Sequence, residues 1–203
     1  MYPKLLVLLL TNFYFCFLLT LAYDPDPIQD FCILNTRTTS RYNFISPCKN
    51  PKLVTPNDFI FPGIKSPSIF PGLNTLGMSF VHAELNIGGI NPPHFHPRAT
   101  EIAYIVSGKV YSGFVDSNNR VFSKVIEQGE VMIFPKGLVH FMMNVGKNRA
   151  MIFGCFNSQN PGNVKIPATI FGSGINDELL EKAFGLSLKQ IVVIRRKFFP
   201  KKT

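Results

Sequence analysis

The chain has 203 residues, 46% hydrophobic and only 16% charged, with a formal net charge of +9. That balance excludes a disordered polyelectrolyte, and four cysteines are too few for a disulfide-built scaffold. The basic excess comes without the aromatic-and-basic patterning of an RNA-binding surface, so nucleic acid is not expected as a partner.

The chain opens with the pattern expected of a targeting signal. Lys4 gives a positive start, Leu5 to Leu21 is mostly apolar, and Thr20 and Ala22 place small residues before a cut after Ala22. The polar, proline-bearing YDPDPIQD that follows argues for cleavage over a retained membrane anchor. We expect a signal peptide over 1–22 and a secreted chain over 23–203, of single-domain size, with no membrane contact after cleavage. Cys16 leaves with the signal. Cys32 and Cys48 flank a short polar, β-branched segment and can close a loop in an oxidising compartment. Cys155, in the strand-like MIFGCF, is expected to be a small buried hydrophobe.

Residues 23–55 are polar and turn-rich and read as an arm. Residues 53–75, broken by prolines and Pro-Gly turns, read as an irregular wrapping segment. Strand follows strand after that: 78–87, 101–108, 109–117, 120–128, 130–135, 140–145 and 149–158. Asn118–Asn119 supplies a turn tolerant of positive φ, and turn residues recur at roughly 8–12-residue spacing, the sign of an antiparallel sandwich or barrel. The expectation is an all-β jelly-roll barrel over about 56–170. In its first strand Val81, Ala83 and Leu85 share an apolar, inward face, which leaves His82 at the surface.

The period then changes, and helices are expected over 171–200. INDELLEKAFG (175–185) has Asn176 or Asp177 as its cap and Gly185 as its stop. Ser187 with Gln190 forms a capping box for LKQIVVIRRKF, whose Ile191, Ile194 and Phe198 fall near one face alongside Val192. Those faces must be buried against the chain's own sheet or against a neighbouring subunit. The cations at the end (Arg195, Arg196, Lys197, Lys201, Lys202) suit an anionic polymer or a solvated terminus.

Chemistry concentrates in two stretches. In GGINPPHFHPRATEIAYIVSG (88–108), His94 and His96 stand two apart, so an extended backbone points both imidazoles to one face, and Glu101 opens the next strand. In GEVMIFPKGLVHFMMN (129–144), Pro135 and Gly137 mark a turn and His140 begins a strand. Three imidazoles and a carboxylate form a metal-ligand set that zinc, copper or manganese would accept.

These stretches resemble the two cupin motifs as germins carry them: Gly88, His94, His96, Glu101 and Gly108 in one, Gly129, Pro135, Gly137, His140 and Asn144 in the other. The resemblance runs from DPDPIQDFC (24–32) through SQNPG (158–162) into the last helices, and the chain looks like a germin-like protein. It implies a Cys32–Cys48 disulfide, Mn²⁺ held by His94, His96, Glu101 and His140, and C-terminal helices that clasp neighbours in a homo-oligomer, a hexamer built as a trimer of dimers. It also implies secretion to the plant apoplast, where an acidic cell-wall polysaccharide would be a partner for the basic tail. Two activities go with the family, oxalate oxidation and superoxide dismutation. Oxalate-oxidising germins have an asparagine thirteen residues before the first motif histidine. This chain has Val81 there, keeps the second polar position as Asn91, and has Met142 on the face of His140. We therefore expect superoxide dismutation without oxalate oxidase activity. The alternative is a non-enzymatic wall-binding, structural or receptor-like metalloprotein.

Overall fold

A computed structural model describes residues 30–35, 47–59 and 71–198. The expected signal peptide, with Cys16, and the terminal Lys201 and Lys202 lie outside that part. The described residues fall into two compact units.

The first comprises residues 30–35, 47–59, 71–79 and 157–159. Cys32 and Cys48 are disulfide-bonded, and the two segments that carry them meet in an isolated antiparallel bridge, Leu34 opposite Cys48. Backbone bonds from Asn35 N to Pro47 O (3.0 Å) and from Lys49 N to Ile33 O (2.7 Å) extend it. Proline starts each of three short 3₁₀ turns, at Pro51–Leu53, Pro56–Phe59 and Pro71–Leu73, where its fixed φ suits a first helical position. Lys49 closes an ion pair onto Asp58 at 2.8 Å, and Asn74 donates to Cys32 O at 2.9 Å. The disulfide of the expected arm is present, and the described part of that arm, 30–35 and 47–55, shares this unit with 71–79 and 157–159.

The second unit, residues 80–156 and 160–198, holds the two sheets and the helices. In chain order its strands are β1 (Ser79–Leu85), β2 (Ile90–Phe95), β3 (Glu101–Ser107), β4 (Lys109–Val115), β5 (Val121–Glu127), β6 (Val131–Phe134), β7 (His140–Asn144), β8 (Ala150–Phe156) and β9 (Val164–Lys165). One sheet has the order β1-β8-β3-β6 and the other β5-β4-β7-β2-β9. Consecutive β4 and β5 pair as a hairpin whose turn is set by Asp116: its carboxylate accepts from Asn118 N (2.8 Å) and Arg120 N (2.9 Å) while Asn119 takes φ 61°. Alternation sends Leu85, Ala103, Ile105, Val110, Ile126, Phe134, Met142, Ala150 and Ile152 into one apolar cluster between the sheets.

Three helices follow: α1 (Ile166–Gly172), α2 (Asp177–Phe184) and α3 (Leu188–Phe198). α2 and α3 begin and end as read from the sequence. Asn176, not Asp177, is the cap and accepts from Leu179 N, and Gly185 N–H closes onto Glu181 O. Gln190 accepts from Ser187 N at 2.8 Å. α1 begins a few residues inside the region expected to belong to the barrel (about 56–170) and ends in the expected helical region. Pro167 in its first turn starts it, and seven residues, about two turns, are too few to show a helical period. α3 packs on α1 and α2, with Ile191 fully buried and Arg195 hydrogen-bonding Phe171 O and ion-paired with Asp177. Among the described residues no helix is long and apolar enough to cross a membrane.

One expectation is corrected and one refined. Cys155 is exposed, because β8 turns Ala150, Ile152, Gly154 and Phe156 inward and leaves Cys155 on the outer face. His82 lies on the outer face its parity assigns but is partly covered there; its side chain is 18% exposed and its ring stands edge-on to Phe153 at 5.3 Å.

Candidate metal centre

His94, His96, Glu101 and His140 come together in the second unit, each at most 5% exposed. One ligand atom from each lies within 4.8 Å of all the others. Local structure explains the convergence. β2 and β7 are adjacent, with His94 directly opposite His140. His96 is the first residue beyond β2 and keeps the two-residue parity of His94. Glu101 opens β3 in the facing sheet, on the inward parity of Ala103 and Ile105.

Pro92 and Pro93 act in a way spacing does not reveal. The β2–β7 register shifts by one residue between Asn91 and His94, a bulge that suits residues lacking a ladder donor. Asn91 pairs with Met142 and His94 with His140, so an odd and an even residue share the inner face. The Asn91 amide thereby comes within 3.4 Å of His94 Nε2.

The imidazoles are oriented from behind. His94 Nδ1 donates to Pro92 O (2.8 Å), His140 Nδ1 to Leu138 O (2.9 Å), and His96 Nδ1 to Gly162 O. With Nδ1–H so engaged, each neutral ring presents a lone pair at Nε2. Two of these face the carboxylate: Glu101 Oε2 lies 3.1 Å from His96 Nε2 and 3.2 Å from His140 Nε2. Convergent acceptors in a buried space repel unless a cation stands among them, so the donor set fits a metal ion. Phe134 stacks on His140 with ring centres 4.4 Å apart, and Phe156 stands edge-on to His96 at 4.7 Å. They wall the site with apolar surface and limit ring rotation.

Protonation agrees with ligation. Burial, then the charge of His140, push His94 down to about 4. Burial raises Glu101, but in the metal-free site protonated His140 and His96 rings, which then donate to it and carry charge, outweigh burial and hold the carboxyl at about 2. At neutral pH Glu101 is a carboxylate and His94 a neutral imidazole, the states a metal requires.

Of the other expected site residues, Val81 is half-buried on the inward face with its Cγ1 close to Gly154, beside Glu101. Met142, 3% exposed, belongs to the central apolar cluster. Gly154, Gly162, Phe134 and Phe156 were not singled out from the sequence. Each acts through the folded neighbourhood, and none carries a spacing signal.

A two-sheet jelly roll with three inward histidines and one carboxylate at its centre defines a class, the metal-binding cupins. The cupin family matches residues 66–191. Germin-like protein subfamily 3 member 2 of Arabidopsis thaliana is 57% identical, covering 95% of this chain and 92% of that protein. Germin-like protein 2-4 of Oryza sativa subsp. japonica is 47% identical, covering 88% and 87%. Among solved structures, a recombinant oxalate oxidase in complex with glycolate superposes with a TM-score of 0.79 at 34% identity, covering 86% of this chain and 98% of that one. The chain belongs to the germin-like proteins of the cupin superfamily.

Proposed function

We propose that this protein is a secreted, manganese-binding, homo-oligomeric germin-like protein of the plant apoplast that converts superoxide to hydrogen peroxide and lacks oxalate oxidase activity. On this reading residues 1–22 are a cleaved signal peptide and residues 23–203 the germin-type domain. The observation that carries the metal reading is the convergence of three Nε2 atoms and the Glu101 carboxylate in one buried space. A bound manganese would supply one-electron redox chemistry, by which two superoxide ions and two protons become dioxygen and hydrogen peroxide. The chain's own residues do the rest. The imidazoles are held by three carbonyls, Glu101 offsets cationic charge and favours the more oxidised state, and Phe134 and Phe156 exclude water. The Asn91 amide, next to His94 Nε2, is a polar group available to a small anion.

Oxalate makes a stronger demand. Two carboxylates need donors beyond the metal, and Val81 offers none. Loss of one donor to a charged ligand costs about 1.5–3 kcal/mol. Superoxide needs only an open metal position.

Assembly is supported by apolar surface. On the outer face of the four-stranded sheet Ile102 stands between Ile133 and Cys155, and Tyr104 between Val131 and Phe153. Ile102, Tyr104, Val131 and Ile133 are 41–56% exposed. The helices add exposed Leu179, Phe184, Leu188 and Val193. A continuous apolar face of this kind favours burial in an oligomer.

The test is superoxide decay by gel-filtered secreted protein in the presence of chelator, normalised to bound manganese, beside His94→Ala. Activity that follows bound metal and disappears in the variant is the expected result. A fully metallated but inactive protein would overturn it in favour of wall binding through the basic end of α3, where Arg196 and Lys197 are exposed.

A further inference from the structure

His94 and His140 hydrogen-bond the carbonyl two residues before them, Pro92 O and Leu138 O, so their rings are set by their own strands. His96 differs. Its Nδ1 donates to Gly162 O, at a sequence separation of 66. The direction of this one imidazole therefore depends on where the segment Asn160–Gly162 stands.

That segment is held from two sides. Beyond it, β9 joins β2, with Lys165 opposite His94 and Val164 opposite Phe95. Before it, Arg98 grips it with three donors: its backbone N–H to Pro161 O (3.2 Å), Nε to Asn160 O (2.6 Å) and Nη2 to Asn160 Oδ1 (2.8 Å). Gly162 takes φ +69°, and a Cβ there would stand 2.9 Å from Pro97 Cγ and 3.0 Å from Arg98 Nη2. The loop is thus seated directly on Pro97 and Arg98, and only glycine fits. On the other side of the ligand, Gly137 N donates to His96 O at 3.0 Å, which fixes the backbone about which the ring must be turned.

We propose that Arg98 is a positioning residue for the metal site: it clamps Asn160–Gly162 so that the Gly162 carbonyl holds His96 Nδ1 and aims Nε2 at Glu101. The planar guanidinium can bond the backbone and side-chain oxygens of Asn160 together, which a lysine ammonium on a flexible stem does not reproduce. The consequence for metal affinity rests on the metal reading given above, whereas the clamp itself is a property of the metal-free chain.

Two measurements separate them. In metal-free ¹⁵N-labelled protein, solvent exchange of the imidazole Nδ1–H protons is followed for all three histidines in wild type, Arg98→Ala, Arg98→Lys and the surface control Arg149→Ala. Faster exchange at His96 alone is expected in both Arg98 variants. Manganese affinity by chelator competition is expected to fall about tenfold in them and to stay at the wild-type value in Arg149→Ala. Wild-type exchange at His96 in Arg98→Ala overturns the proposal. So does a uniform loss of protection at all three histidines with a lowered melting temperature, the mark of a merely structural arginine. Asn160→Ala, which removes one acceptor only, replaces Arg98→Ala if that variant does not fold, and its His96 exchange decides in the same way. If wild type binds no manganese, the metal reading fails while the exchange measurement still decides the clamp.

Discussion

Gly154 is the space in which Glu101 sits: a methyl group on that glycine would stand 3.0 Å from Glu101 Oε1, and 2.7 Å from Val81 Cγ1 on its other side. Gly154 lies opposite Ala103 in the β8–β3 ladder, so its backbone has no freedom to retreat. Gly154→Ala must displace either the carboxylate or the valine. We expect metal affinity to fall roughly 10- to 100-fold, with an overpacking loss of about 1–3 kcal/mol in stability. Chelator competition and urea unfolding check the two effects separately, and wild-type affinity would mean that Val81 gives way and the Glu101 carboxylate stays in place.

On the proposed function, Val81 is the residue that denies oxalate a donor. The wild-type protein is expected to release no peroxide when given oxalate. Val81→Asn places an amide on the inner face beside Glu101 and should tighten oxalate binding by about one to two powers of ten. Calorimetric titration of the metallated proteins is the measurement. Equal oxalate affinity in the two would remove Val81 as the determinant.

Acid should destabilise the metal-free protein. His94 is held at about 4, below its ordinary 6.5, so the unfolded chain binds the proton first and stability falls as pH drops from about 6.5 to about 4. Glu101, held at about 2 against an ordinary 4.5, acts in the same direction over the lower window. Each extra proton bound by the unfolded chain steepens the fall by about 1.4 kcal/mol per pH unit. Urea unfolding of metal-free protein between pH 7 and pH 4 should show a shallower slope in His94→Gln. An unchanged slope would mean that His94 is not buried as a neutral ring.

The disulfide bears on the first unit. Cys32 and Cys48 are 16 residues apart, and closing such a loop is worth about 3 kcal/mol. Cys32→Ser should therefore expose the arm to limited proteolysis under conditions where the wild-type arm resists. Equal cleavage rates would show that contacts such as Lys49–Asp58 suffice without it.

Much of this was legible in the chain. The two-residue period carried β1 and β3 through β8, the caps at Asn176 and Ser187 fixed two helices, and motif spacing named all four residues of the metal group. What escaped depends on three-dimensional neighbours. The bulge at Pro92–Pro93 changes parity within one strand, so Asn91 and His94 face the same way despite their spacing. Cys155 was placed by composition, although the parity of Gly154 and Phe156 sends it outward. The Arg98 clamp joins residues more than sixty positions apart, and no local pattern encodes it.

On the proposed function His94, His96, Glu101 and His140 together hold a manganese ion. Elemental analysis of gel-filtered protein tests it most directly, comparing wild type with His140→Ala and Glu101→Gln, each confirmed as folded by a cooperative melt. A single manganese per chain is expected in wild type, with most of it lost in both variants. Equal manganese in folded wild type and variants, or none in any of them, would contradict it.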